Sequence, residues 1–267
     1  MPQISILGCG WLGFPLAKTL LENGFSVKGS TTSEEKLLIL KQSGIESYTI
    51  ILKEDHIVGD FNAFLENSEI LIIDIPPKLR GEHKENFVSK IRNIIPFIEN
   101  SSVTKVLFIS STAVYKDENA LIDEDTFPDP DTESGKQLLE SELVLSQADF
   151  ETSIIRFGGL IGDDRHPVRF LSGRKNIENP NAPINLIHQE DCIGIIISVV
   201  KLHAWNEIFN AVAPFHPTRE EYYVKKAVAL GLGLPEFNYS NSSVGKTISS
   251  EKIQNRLKYT FKRITTF

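Results

Sequence analysis

The first thirteen residues constrain this chain more than any later stretch. Gln3-Ile4-Ser5-Ile6-Leu7 is an apolar run that breaks into Gly8-Cys9-Gly10-Trp11-Leu12-Gly13 and then into a helical pattern at Leu16, Ala17, Leu20 and Leu21. A strand, a tight turn and a helix start are predicted, with the glycines spaced G-x-G-x-x-G. Each glycine has its own task in that spacing. Gly8 permits the turn, Gly10 lets backbone approach a diphosphate, and Gly13 lets the helix pack close to the strand. A dinucleotide pyrophosphate would sit on the free N–H groups of the helix start, beside Trp11 and Leu12. The plainer alternative is an ordinary glycine-rich strand-to-helix turn.

Strands and helices alternate through residue 157, the pattern of a parallel sheet covered on both faces. The predicted fold is α/β, a Rossmann-type doubly wound parallel sheet over residues 1–157 that binds NAD(P). A smaller C-terminal α/β lobe is predicted over 158–267. The second strand, Phe25-Ser26-Val27-Lys28, runs into Gly29-Ser30-Thr31-Thr32-Ser33. In NAD-preferring sheets an Asp or Glu roughly 20 residues past the glycines holds the ribose 2′-hydroxyl. Here that place holds hydroxyl residues, so nothing repels a 2′-phosphate, and Ser30, Thr31, Thr32 and Lys36 offer donors to one. NADP is favoured over NAD. The alternative is that Ser33 caps a helix over 34–42 with Thr31 and Thr32 as loop filler.

Further along, a strand is predicted over 48–52 and a short helix to Leu65 capped by Asp60. The run Glu69 to Ile75 is apolar except at Asp74, as in the centre of a parallel sheet. Pro76-Pro77 stops it at its carboxyl end, where ligands bind in such sheets. Ile75 and Pro76 are placed against the cofactor, with a rigid non-contacting loop as the alternative. A helix through Phe87, Ile91, Ile94 and Ile98 is bent or ended by Pro96. A strand over 105–109, a helix over 133–145 and a strand over 152–157 follow.

Composition removes several classes of function. With 267 residues and 41% hydrophobic content the chain can bury a full core. Its net charge of −7 and lack of a basic block argue against nucleic acid. The longest apolar stretch, over 193–200, falls short of the roughly 18 residues needed to span a bilayer, and no secretory signal is read at the start. Cys9 and Cys192 are too few for a disulfide frame or a zinc site. No metal is expected, and a reducing cytoplasm is the expected setting.

At Phe108-Ile109-Ser110-Ser111-Thr112-Ala113-Val114-Tyr115 the chain resembles the extended short-chain dehydrogenases/reductases, the NAD(P)-dependent sugar epimerase/dehydratase group. The resemblance spans nearly the whole chain. It takes in the glycine turn, Lys136 one helix later, Arg156-Phe157-Gly158-Gly159-Leu160-Ile161-Gly162, and Asn185-Leu186-Ile187-His188-Gln189-Glu190-Asp191. It implies that Ser111 hydrogen-bonds the substrate oxygen, and that Lys136 holds the nicotinamide ribose and lowers the pKa of the catalytic acid. Hydride transfer needs such a matched proton transfer.

The family signature Tyr-x-x-x-Lys is broken here, because Thr132 stands at the tyrosine position. A threonine hydroxyl is a poor proton shuttle at neutral pH. The chain therefore resembles the atypical subgroup that keeps the fold and the glycine motif without the active-site tyrosine. The catalytic candidates are Ser111, Lys136 and Tyr115, the nearest phenol to Ser111 in sequence, with Glu133, Glu124 and Asp125 as carboxylate alternatives. Each has a structural counter-reading: Tyr115 as a packed aromatic, Glu133 as a helix-start charge, the loop acids as solvated surface, and Lys136 as a solvent-facing lysine.

Beyond Gly158 the loops lengthen, and the resemblance implies that this C-terminal α/β lobe, 158–267, is the substrate lobe. Arg165, His166, Arg169 and Arg174 gather positive charge, which suits an anionic substrate or nucleotide group, unless they pair with Asp163, Asp164 and Glu178. An apolar helix over 192–202, opened by His188-Gln189-Glu190-Asp191, is predicted to anchor on the nucleotide domain. A strand over 207–213, a helix over 219–230 capped by Thr218, and a closing segment over 245–267 that docks on the lobe complete the chain. Two functions compete. One is an NAD(P)-binding epimerase/dehydratase-like oxidoreductase acting on a small polar, sugar-like or phosphorylated molecule. The other is a non-catalytic dinucleotide-binding redox sensor. Ser111 and Lys136 favour the first, Thr132 the second. A homodimer is left open.

Overall fold

The computed structural model describes residues 2–77 and 85–263. In chain order its elements begin β1 (Gln3–Leu7), α1 (Gly13–Glu22), β2 (Ser26–Thr31), α2 (Glu34–Gln42), β3 (Glu46–Thr49), β4 (Ile51–Leu52), β5 (Ile57–Val58) and α3 (Phe61–Leu65). Then come β6 (Ile70–Ile73), α4 (Phe87–Glu99), β7 (Lys105–Ser111), β8 (Ala120–Ile122), α5 (Glu133–Ser146), β9 (Glu151–Phe157) and β10 (Gly159–Ile161). The chain continues through α6 (Val168–Leu171), β11 (Leu186–His188), α7 (Gln189–Lys201), β12 (Ile208–Ala211), α8 (Arg219–Ala229), β13 (Lys246–Ile248) and α9 (Glu251–Arg256).

Seven strands pair in parallel in the order β12-β9-β7-β6-β1-β2-β3. The chain winds outward from β1 to β3 and then returns to β6 on the other side of β1. Strand order reverses at β1 and β6, and the carboxyl ends of those two strands open the crevice where such sheets take ligands. This is the Rossmann-type sheet that the sequence predicts.

Alternation along the strands explains why both faces are covered. Ile4 and Ile6 of β1 and Ile70 and Ile72 of β6 pack with Leu16 and Leu20 of α1 and Ile195 and Val199 of α7. Their neighbours Leu7, Leu71 and Ile73 point the other way, onto Ile91 and Ile94 of α4 and Leu138 and Leu145 of α5. Burying each such side chain stabilises the fold by about 1.5–3 kcal/mol. A one-residue slip would reverse both sets at once. Asp60, Asn86, Thr132 and Thr218 each accept an N–H from the first turn of the helix they precede, contributing about 1 kcal/mol apiece.

Some boundaries differ from expectation. The strand predicted over 48–52 is split: β3 pairs with β2, and β4 turns away to pair antiparallel with β5. Gly59 allows that return, since its φ is 102° and a Cβ there would lie 2.0 Å from the Thr49 carbonyl oxygen. α7 starts at Gln189, within the His188–Asp191 opening expected for it, and the His188 ring accepts the Glu190 N–H. Pro96 lies inside α4, which continues to Glu99.

The C-terminal residues build a small lobe in which β10 pairs with β11 and β13 with β8. Its own apolar cluster comprises Val168, Ile184, Tyr222, Tyr223 and Ala227. The chain then leaves the lobe to supply β12 to the main sheet. The closing segment, predicted to dock on the lobe, meets it at its start, where Asn185 bonds to the Lys246 carbonyl and the Ile248 N–H at 2.8 and 3.0 Å, and its later part joins the core beneath α7 through Ile253, Leu257 and Phe261. Buried Asp191 draws it there, accepting hydrogen bonds from the Tyr259 hydroxyl at 2.9 Å and the Lys262 and Arg263 N–H groups at 2.8 and 3.1 Å. Residues 264–267 of that segment lie outside the described residues.

Candidate functional site

At the switch of strand order lies a cleft of about 680 Å³, entered from the carboxyl ends of the strands. The glycine turn forms its base, and the three glycines stand in three different surroundings. Gly8 has φ 108°, and a Cβ there would stand 2.3 Å from the Asp74 carbonyl oxygen. At Gly13 a Cβ would stand 2.2 Å from the Gly8 carbonyl oxygen, so α1 could not approach β1. At Gly10 a Cβ would meet nothing within 4 Å. Gly10 is thus free of internal constraint and presents bare backbone to the cleft. Trp11 and Leu12 line the same wall.

β2 braces the turn. The Gly8 N–H donates to Ser30 Oγ at 3.0 Å and the Cys9 N–H to the Ser30 carbonyl at 2.7 Å. Thr31 Oγ1 accepts the Ser33 N–H at 3.1 Å. Ser30 and Thr31 are buried in these tasks, while Thr32 and Lys36 reach the cleft as exposed groups. Lys53 and Lys90 also line it, and both pair with Glu85. Sequence reading missed these two lysines because β4 and α4 come together only in the fold.

Ile75 and Pro76 also line the cleft, as does Asp74, and Asp74 and Ile75 lie against Gly8 of the turn. Burial pushes the Asp74 carboxyl up to about 8, although the Gly13 N–H bonded to it pulls in the other direction. A proton-bearing carboxyl therefore sits beneath the turn at neutral pH. The sequence carried a signal for this residue, a lone acid in an apolar central strand. Cys9 beside it is a buried thiol pushed up to about 12 and is chemically quiet.

Ser110 and Ser111 reach the cleft from the end of β7. Ser111 Oγ accepts the Ala113 N–H at 3.2 Å and so holds the 3-10 turn Thr112–Val114. The other two catalytic candidates are not in the cleft lining. Lys136 is exposed on the first turns of α5, and its N–H bonds to the Thr132 carbonyl. Thr132 Oγ1 accepts the Gly135 N–H at 3.1 Å, so the residue at the tyrosine position is the cap of α5.

Tyr115, expected as a replacement proton donor, is buried beside a buried ion pair instead. Arg156 Nη1 donates to its hydroxyl at 2.5 Å, and the guanidinium lies 5.0 Å from its ring centre. That hydroxyl in turn donates to Asn210 Oδ1 and the Asp123 carbonyl, both at 3.2 Å. Arg156 is held by Glu142 at 2.6 Å with both side chains almost fully covered, and Ser110 donates to the same carboxylate at 2.5 Å. Burial raises the Tyr115 phenol further from neutrality. Glu124 accepts the Asn210 N–H at 2.7 Å and Glu133 accepts from Gln137.

On the lobe side only Arg165 of the predicted basic cluster lines the cleft. Arg169 and Arg174 are exposed. The His166 ring turns inward, 2.9 Å from the Tyr222 hydroxyl, and burial, with help from Lys226 and Arg169, lowers it to about 4. Among the described residues no group of three or more His, Cys, Asp or Glu could hold a metal ion, and no helix is long and apolar enough to cross a membrane.

The sheet order, the cleft at its switch point and the glycine turn can be set beside known proteins. Protein YeeZ of Escherichia coli K12 is 32% identical over 265 residues, covering 98% of this chain and 96% of YeeZ. The chain belongs to the YeeZ family. No family model matches the sequence. Among solved structures, UDP-glucuronic acid 4-epimerase from Bacillus cereus in complex with NAD superposes with a TM-score of 0.78 at 16% identity, covering 97% of this chain and 93% of the epimerase. A short-chain dehydrogenase/reductase superfamily protein from Agrobacterium tumefaciens with bound NAD gives the same TM-score and identity, over 97% of this chain and 92% of that one. These likenesses establish that this YeeZ-family chain has the extended short-chain dehydrogenase/reductase fold.

Proposed function

We propose that the chain binds a nicotinamide dinucleotide in the cleft and acts as an epimerase/dehydratase-like oxidoreductase on a small polar, sugar-like substrate. The observation that carries this reading is Gly10. Its neighbours Gly8 and Gly13 are required by the packing of the turn itself, whereas the open backbone at Gly10 answers only to something entering the cleft. The diphosphate would rest on Gly10, Trp11 and Leu12, with Gly8 and Gly13 shaping the turn and Ile75 and Pro76 against the nucleotide. When bound, the nicotinamide supplies the hydride acceptor or donor. Ser111 would then orient the substrate oxygen, and Lys136 would have to swing inward to reach the ribose. The relatives named above with NAD in their structures support a nicotinamide cofactor, and the nucleotide-sugar epimerase among them supports a sugar-like substrate.

NADP is the favoured form. Thr32 and Lys36 are exposed at the end of β2, Lys53 lines the same cleft, and Glu85 in the cleft wall is already paired with Lys53 and Lys90. Titration with NADPH and NADH, followed by fluorescence, tests this: tighter NADPH is expected, and equal or reversed affinities would sink the preference. Any turnover of a nucleotide-sugar panel should depend on Lys136, and a Lys136→Ala protein with unchanged hydride transfer would put the chemistry elsewhere.

A second reading is favoured by Thr132 and Tyr115. With one serving as a helix cap and the other buried against Arg156, no phenol faces the cleft beside Ser111 among the described residues. A dinucleotide-binding redox sensor needs no proton donor there. Tight NADPH binding with no hydride transfer to any carbonyl substrate would favour it.

A further inference from the structure

Arg165 comes from the lobe, yet its guanidinium lies 4.9 Å from the centre of the Trp11 ring and faces the cleft beside the glycine turn. Several contacts fix this pairing. The Trp11 indole N–H donates to Asp164 Oδ1 at 2.9 Å, and the Trp11 carbonyl accepts from Gln189 Nε2 at 2.6 Å. Gly162 lies so close to the indole that a Cβ there would stand 2.7 Å from it. Gly162 and Arg165 exchange backbone hydrogen bonds of 2.8 and 3.2 Å, closing the loop that carries both.

The charge of Arg165 is not spent inside the protein. Asp164 is engaged by the indole, and Asp163 lies 3.7 Å from His188 Nε2. Arg165 forms no ion pair among the described residues. Stacking on an indole uses the face of a guanidinium and leaves its N–H edges free, and that planar fork matches phosphate oxygens. Trp11 belongs to the turn whose backbone would meet the diphosphate, so the platform and the phosphate site are adjacent.

Resting on the dinucleotide reading above, we propose that Arg165 is a diphosphate-binding residue: it closes over the dinucleotide pyrophosphate from the lobe side, using Trp11 as its platform. The lobe is thereby coupled to cofactor binding as well as to substrate. Arg165 thus answers the positive charge predicted for this region, while the inward-facing, near-neutral His166 and the outlying Arg169 and Arg174 do not.

Calorimetric titration of the full chain with NADPH and with adenosine 2′-monophosphate, which lacks the diphosphate, tests this. Arg165→Ala should weaken NADPH by about 10- to 100-fold, leave adenosine 2′-monophosphate unchanged and flatten the salt dependence of NADPH binding. Arg165→Lys should recover part of the loss. Equal NADPH affinity in wild type and Arg165→Ala overturns the proposal while leaving the cofactor reading intact, as do equal losses for the two ligands. A wild-type protein that binds neither nucleotide overturns the cofactor reading and this proposal with it.

Discussion

At the glycine end of the cleft, backbone geometry leaves the sequence little choice: Gly8 and Gly13 admit no side chain and Gly10 faces open space. At the Ser111 end, the positions that proton chemistry would use have been absorbed into the framework. Thr132 caps α5, and Tyr115 completes the shell of the Arg156–Glu142 pair. The first region leaves bare backbone open to the cleft, whereas the second is tied up in its own hydrogen bonds. A fold can keep its cofactor cradle and still reassign the residues next to it, because the cradle depends on backbone while the chemistry depends on single side chains.

The sharpest way to break this comparison is at Arg156–Glu142. Removing one partner, as in Glu142→Gln, strands a buried charge and should cost about 3–5 kcal/mol. Thermal or urea unfolding would show it, with NADPH affinity unaltered in the molecules that remain folded. The double variant Arg156→Met with Glu142→Leu should recover most of the loss. If the single change left stability intact and abolished NADPH binding, the two regions would not be separable.

Next come the glycines. Gly8→Ala and Gly13→Ala should lower both stability and NADPH affinity. Gly10→Ala should melt like wild type and still bind NADPH more weakly by about tenfold or more. A Gly10→Ala protein with normal affinity would place the ligand away from the turn.

Asp74 supplies a pH test of the same cradle. Its carboxyl carries a proton up to about 8 and is ionised above it, beneath the place proposed for the diphosphate. NADPH affinity should fall as pH rises through that value, at the limit by about tenfold per pH unit for one linked proton. In Asp74→Asn the fall should vanish. The same raised value means that the folded state holds a proton which the unfolded chain has released above its usual carboxylate range. Stability from this group therefore declines between about 4 and 8.

The smallest effects belong to the lobe. His166 is lowered from 6.5 to about 4, so the unfolded chain takes up a proton that the folded one refuses. Stability should fall as pH drops from 6.5 towards 4, and His166→Asn should flatten that slope in pH-resolved melts without altering NADPH affinity at neutral pH.

Much of this was legible in the sequence because it depends on local pattern. The parallel sheet covered on both faces follows from strand and helix alternation, and the glycine spacing located the turn. Caps such as Asp60 and Thr218 were readable as single residues before a helix. What escaped depends on contacts between distant segments. Nothing near Tyr115 announces that Arg156 and Asn210 will meet its hydroxyl, and nothing near Trp11 announces the loop of Gly162 and Arg165. Asp74 stood between these cases, visible as an oddity in an apolar strand but without a meaning until Gly13 was seen against it.

The return of the chain to the main sheet at β12 sets how this molecule can be taken apart. Only the first part of the lobe, between Phe157 and Ile208, is spliced between two strands that lie side by side, and Tyr222, Tyr223 and Ala227 return to it after β12. A cut after residue 157 leaves β9 as a raw edge and strips away α7, so an isolated N-terminal fragment should aggregate rather than fold. Grafting favours the opposite surgery. The span between β9 and β12 has its ends side by side, and a different loop module could replace its residues ahead of β11 provided that α7 stays against the sheet.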